Sequence, residues 1–259
     1  MNRVSMAYQT HVCRTDPEGT VLFLHGLGSC GDDWALQTPV FQEHYDVITL
    51  DLPGHGASPL PTDFHSVEDL AIAAADVLNQ AGKPQAHVVG LSLGGAVALS
   101  LALCRPAQVR SLVLVNTFAH LQVDPSGRLR VMQRLLQLLR GDMRGLGETV
   151  ARGVFPHAEQ AELRALAAER LAQNPRKAYM RIVGALRRFD VRDELCRVKA
   201  PCLVISGRDD TTVSPAAKRE LADQIPNAAW LEVPDSGHAT PLDSPRQFNS
   251  AVLDFLRAH

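Results

Sequence analysis

Ala86-His87-Val88-Val89-Gly90-Leu91-Ser92-Leu93-Gly94-Gly95-Ala96 sets one serine between an apolar run with β-branched residues and a helical pattern that continues to Cys104. Strand, tight turn, helix is the reading that this order of residues imposes. A serine on so sharp a turn needs small neighbours, because the backbone passes close to itself. The turn presents Oγ at the carboxyl edge of a sheet, beside a helix N-terminus that favours developing negative charge. The bland alternative is a glycine-rich turn with a capping serine, and the flanking strand and helix weigh against it.

Outward from this turn, further short apolar runs recur at Val21 to Leu24, Val47 to Leu50, Val109 to Val115, Cys202 to Ser206 and Trp230 to Val233. They suit strands buried on both faces. Amphipathic stretches such as Ser66 to Gln80, Leu93 to Cys104 and Pro215 to Gln224 separate them. The alternation predicts an α/β fold with a mostly parallel sheet flanked by helices. Ser5 to Tyr8 and His11 to Cys13 are expected to form a leading hairpin.

The alternation stops between Phe118 and Leu195, where helical patterns run over Leu129 to Arg140, Glu159 to Gln173 and Lys177 to Arg188 with no evident strand. Strand character resumes at Cys202. The expected organisation is therefore a core of residues 1–117 and 196–259 with a helical cap, 118–195, inserted in it. Within the insertion, Leu135, Leu136, Leu138, Leu139, Phe155 and Phe189 are expected mainly as core, some of them facing a crevice. The insertion holds fourteen Lys or Arg against nine Asp or Glu, in a chain of formal net charge -2. Arginines spaced along amphipathic helices usually form a solvated face. The alternative is that they favour anionic substrates, with Arg187 or Arg188 as contacts.

A chain of 259 residues with 46% hydrophobic residues can bury one large core. Its slightly negative charge gives no basic field for nucleic acid, and a small molecule is the expected partner. Five cysteines, Cys13, Cys30, Cys104, Cys196 and Cys202, make neither a CxxC pair nor a disulfide framework. Reduced thiols in a cytoplasmic protein are the expectation, with no metal site. No signal-like or membrane-spanning run is evident. Oligomeric state is not legible.

A serine hydroxyl needs an adjacent base, itself fixed by a third group. Pro234-Asp235-Ser236-Gly237-His238 follows the last predicted strand, which puts His238 at the same sheet edge as Ser92. The orienting acid is expected from Ser206-Gly207-Arg208-Asp209-Asp210, after the strand that begins at Cys202. Asp210 lies further into that loop, and Asp209 is the competing candidate, otherwise a turn or capping residue. His25-Gly26-Leu27-Gly28-Ser29 follows the first parallel strand, so the amides of Leu27 and Leu93 are the expected oxyanion donors. Loops at the carboxyl ends of parallel strands converge on one crevice.

With His25-Gly26-Leu27-Gly28, Asp51-Leu52-Pro53-Gly54-His55-Gly56-Ala57-Ser58, Gly90-Leu91-Ser92-Leu93-Gly94, Gly207-Arg208-Asp209-Asp210 and Gly237-His238 in this order, the chain resembles the α/β-hydrolase superfamily over essentially its whole length. The resemblance implies an α/β-hydrolase fold and a triad of Ser92, Asp210 and His238. It favours Asp210 over Asp209, because the acid usually sits three residues after the glycine, and it makes His55 structural. It implies ester, lactone or thioester hydrolysis with no cofactor. Asp33-Trp34 with Gln37, and Ser111 to Thr117, resemble small esterases and 3-oxoadipate enol-lactonase-like enzymes. Serine at the turn argues against the aspartate-using dehalogenases and epoxide hydrolases, and Ala239 after His238 against related carbon–carbon bond hydrolases. An enol-lactonase or perhydrolase using the same triad, and a slow-turnover ligand receptor on the same fold, are the alternatives.

Overall fold

The computed structural model describes residues 6–122 and 128–259. Seven strands form one sheet: β1 (Tyr8–His11), β2 (Thr20–Leu24), β3 (Asp46–Leu50), β4 (Ala86–Leu91), β5 (Val109–Val115), β6 (Cys202–Gly207) and β7 (Ala228–Val233). Their spatial order is β1-β3-β2-β4-β5-β6-β7. Every neighbouring pair is parallel except β1 with β3. The expected leading hairpin is therefore replaced by a single antiparallel edge strand on β3. His11 belongs to that strand, Cys13 lies beyond it with its N–H on Asp46 (2.8 Å), and Ser5 falls outside the described residues.

Because successive residues of a strand point to opposite faces, the apolar runs serve two cores at once. Leu22, Leu24, Ile48, Leu50, Val88, Leu112, Leu114 and Val204 face one side. Val21, Phe23, Val47, Val89, Val113, Val115, Leu203 and Ile205 face the other. Helices α1 (Thr38–Phe41), α2 (Val67–Gln80) and α3 (Leu93–Cys104) lie among the first five strands. Ser66 caps α2 and Asp69 returns the bond, which fixes where that helix starts. Helix α3 is buried from Leu93 through Ala102, and its glycines and alanines let it lie close on the central strands.

Between β5 and β6 the chain forms α4 (Arg128–Arg140), α5 (Met143–Val154), α6 (Ala161–Ala172) and α7 (Arg176–Leu186). Then α8 (Pro215–Gln224), α9 (Thr240–Asp243) and α10 (Pro245–Arg257) return to the sheet, α10 burying Phe248, Val252 and Leu256. Leu138 and Phe155 are buried as expected, and Phe189 packs on the main core. Leu135, Leu136 and Leu139 do not join a core: they are 48%, 45% and 58% exposed, together with Leu129 and Met132 on the same helix. Of the apolar residues of α4, Leu138 is the one that joins a core cluster, with Leu146, Leu171 and Tyr179. Among the described residues no helix is long and apolar enough to cross a membrane.

Candidate active site

Gly90 and Gly94 make the turn at the end of β4 possible. A Cβ at Gly90 would lie 2.2 Å from the Gly94 carbonyl oxygen, and one at Gly94 would lie 2.0 Å from that of Leu24. No larger residue fits either contact. Between them Ser92 is held at φ 55°, ψ -113°, a conformation costly for a residue with a Cβ. The surroundings impose it: the Ser92 N–H donates to Val115 O (2.9 Å), and Thr117 Oγ1 donates to Ser92 O (2.7 Å).

His238 and Asp210 meet. The His238 ring Nδ1 lies 3.1 Å from each Asp210 oxygen, and both residues are buried. Asp210 Oδ1 also accepts the N–H groups of Thr212 (2.7 Å) and Val213 (3.2 Å). Burial by itself raises a carboxyl group, but His238, Lys218 and the Thr212 N–H override it and hold Asp210 down to about 2. Asp209, the competing candidate, turns the other way and pairs at 3.1 Å with His157, half in solvent. Its neighbour alone reaches the histidine.

The dipeptide at the end of β5 ties these loops together. Val115 O holds the Ser92 turn, while Asn116 Nδ2 donates to the carbonyls of His238 (2.8 Å) and Gly237 (3.2 Å). Asn116 Oδ1 accepts the Gly207 N–H (2.8 Å) of the Asp210 loop. Asp243 completes the frame, accepting from Ser236 Oγ and the Gly237 N–H at 2.7 Å each. Neither Asn116 nor Asp243 was picked out from the sequence as part of the site. The signal available for Asn116 was a polar residue directly after the apolar run Leu112 to Val115, at the same edge as Ser92.

The His25 loop lies beside the serine: a Cβ at Gly26 would sit 3.7 Å from the Ser92 Cβ. The Leu27 and Leu93 N–H groups find no acceptor among the described residues. His25 Nε2 accepts the Leu52 N–H (2.9 Å) and Nδ1 meets Gly26 O (2.8 Å), so the ring is a neutral spacer between two loops. Burial pulls it down to about 4. His55 packs edge-on against it, ring centroids 5.0 Å apart, and burial takes it to about 3. Both rings are buried between these loops.

The helical segment reaches the same loops. Val154 O accepts the His238 N–H (3.1 Å), Gly153 O accepts from Thr211 Oγ1 (3.2 Å), and His157 pairs with Asp209. Leu27 packs against a cluster of Leu138, Leu146, Leu171 and Tyr179. The arginines considered as anion contacts are engaged elsewhere or solvated: Arg188 donates to the His65 carbonyl (2.7 Å), and Arg187 is exposed at the end of α7.

The family model described as "alpha/beta hydrolase fold" matches residues 19–245. A curated protein of Pseudomonas savastanoi pv. phaseolicola, "Putative carbamate hydrolase RutD", is 31% identical over 98% of this chain and 99% of its own length. The 3-oxoadipate enol-lactonase 2 of Acinetobacter baylyi is 30% identical over 90% of this chain and 86% of its own. Among solved structures, the enol-lactonase from Burkholderia xenovorans LB400 superposes with a TM-score of 0.90 at 25% identity, over 99% of this chain and 98% of that one. With the model spanning most of its length and these relatives spanning nearly all of it, the chain belongs to the α/β-hydrolase family and is a hydrolase.

Proposed function

We propose that the protein cleaves a carboxylic ester, lactone or thioester of a small molecule through an acyl-enzyme on Ser92. The observation that carries this reading is the buried Asp210–His238 pair, 3.1 Å from each carboxylate oxygen, on loops bound through Val115 and Asn116 to the strained Ser92 turn. In this scheme His238 Nε2 takes the Ser92 proton as Oγ bonds to the carbonyl carbon. The oxyanion that forms accepts from the Leu27 and Leu93 amides. Collapse expels the leaving oxygen or sulfur, which receives the proton from His238. Water, deprotonated by the same ring, then releases the acid. Asp210, ionised throughout the neutral range, keeps Nδ1 protonated and stabilises the imidazolium as it forms.

Residues 118–195 act as a cap over a core of 1–117 and 196–259. The contacts of Gly153, Val154 and His157 with the Asp210 and His238 loops support that role. The likeness to two enol-lactonases favours a lactone among the possible substrates.

Rapid acid quench during turnover of p-nitrophenyl butyrate, followed by peptide mass analysis, tests the scheme. A butyryl group on the Ser92 peptide is expected. Hydrolysis that persists undiminished in Ser92→Ala, with no acyl adduct in the parent protein, would overturn it.

A further inference from the structure

Lys218 on α8 is completely buried, one of the largest side chains in the interior to be so. Its Nζ lies 3.1 Å from Asp210 Oδ2, 3.2 Å from the Gly207 carbonyl oxygen and 3.3 Å from Asn116 Oδ1. An ammonium has three hydrogens and no acceptor site, and here each hydrogen has one acceptor. One acceptor is the carboxylate oriented on His238; the other two belong to the framework that holds the His238 loop. Burial pulls Lys218 below the ordinary lysine range, while Asp210 opposes the loss of its proton.

The charges around the pair can be named element by element. Asp209, on the same loop as Asp210, faces His157 from the helical segment. Glu232 of β7 is exposed and pairs with Arg208 (3.0 Å). Asp243 of α9 accepts from the Ser236 hydroxyl and the Gly237 N–H. Among the described residues, Lys218 is the one lysine or arginine in hydrogen-bond contact with the Asp210–His238 pair.

We propose that Lys218 is a positioning residue of the reaction: it anchors Asp210 and, by sharing its negative charge, disfavours a second positive charge on the His238 ring, so the ring remains able to accept the Ser92 proton further into the acid range. This rests on the Ser92–His238–Asp210 reading given above. With Asp210 alone, protonating His238 produces a neutral ion pair; with Lys218 present, the buried trio carries one net positive charge. The low polarity around these groups makes that difference felt.

The test is the second-order rate at which a fluorophosphonate labels Ser92, followed as a function of pH in the parent protein and in Lys218→Met, Lys218→Gln and Lys218→Arg, with thermal melts alongside. Both neutral variants are expected to move the acid limb of labelling upward by about one pH unit, and Lys218→Arg to return it toward the parent position. A neutral variant that folds and labels with an unmoved or lowered acid limb would overturn the proposal and leave Lys218 a structural residue. So would unfolding of both neutral variants while Lys218→Arg folds, because the charge would then serve the fold alone. Absence of Ser92 labelling in the parent protein is a separate outcome, since it refutes the triad itself.

Discussion

The sheet edge and helix α4, with the turn that ends it, are built to different tolerances. At the edge, Gly90 and Gly94 leave no room for a methyl group, Asn116 hydrogen-bonds to two other loops, and Asp210 and His238 are buried. In the helical segment, α4 exposes Leu129, Met132, Leu135, Leu136 and Leu139, and Gly141 has nothing within 4 Å of where its Cβ would stand. The groups of the proposed chemistry come from the first region, and the second touches them at Gly153, Val154 and His157. The groups that must hold reacting atoms in register sit where the fold leaves the least freedom, while α4 presents a row of apolar side chains to solvent.

The largest expected effect separates two adjacent residues at the edge. Asp210→Asn is expected to slow ester hydrolysis by about 10⁴-fold, because the asparagine cannot keep Nδ1 protonated and oriented. Asp209→Asn, which loses a half-exposed pair with His157, is expected to cost less than about tenfold. Similar losses in the two variants would erase the distinction.

The next contrast compares glycines. Gly94→Ala is expected to destabilise the protein by about 3 kcal/mol or more in urea titrations, since its Cβ would meet the Leu24 carbonyl oxygen at 2.0 Å. Gly141→Ala, at φ 78° in open space, is expected to cost about 1 kcal/mol, the backbone penalty alone. Equal costs would mean that the edge is no tighter than the turn after α4.

Acid should weaken the edge through its buried histidines. His25 and His55 have folded-state values lowered to about 4 and about 3, so the unfolded chain binds more protons than the folded one once the pH drops below the ordinary 6.5. Their contribution is full above pH 6.5 and declines as pH falls toward 4, by about 1.4 kcal/mol per unit for each ring. Urea midpoints measured from pH 7 to pH 4.5 should fall accordingly. A flat profile over that range contradicts the neutral, spacer role of the two rings. Asp210 adds its own loss only in more acid solution, as pH falls through the carboxylate range toward about 2.

The smallest effects belong to α4. Leu129→Gln and Leu136→Gln, both replacing exposed side chains, are expected to change stability by no more than about 0.5 kcal/mol. A loss of 2 kcal/mol or more would show that this face is covered in solution.

Strands were legible because apolar runs such as Leu112 to Val115 are buried on both faces and carry no competing helical period. The Ser92 turn was legible because its glycines are short-range requirements written within a few residues. Local reading favoured Asp210 over Asp209 only by its place further into the loop, since the deciding contacts, with Lys218 and His238, come from other elements of the fold. Helix α5 escaped notice because Gly145, Gly147 and Gly153 dilute its helical signal. Lys218 was invisible for a different reason. On a short amphipathic helix a lysine reads as solvated, and only the packing of α8 against β6 and β7 makes it a buried neighbour of Asp210.

The central claim is that Ser92 is an activated nucleophile. Intact and peptide mass spectrometry after exposure to a fluorophosphonate, with the parent protein and Ser92→Ala side by side, tests it most directly. A single phosphonyl adduct on the Ser92 peptide of the parent, absent from the variant, is the predicted result. An adduct elsewhere, or none on the folded parent protein, would contradict it.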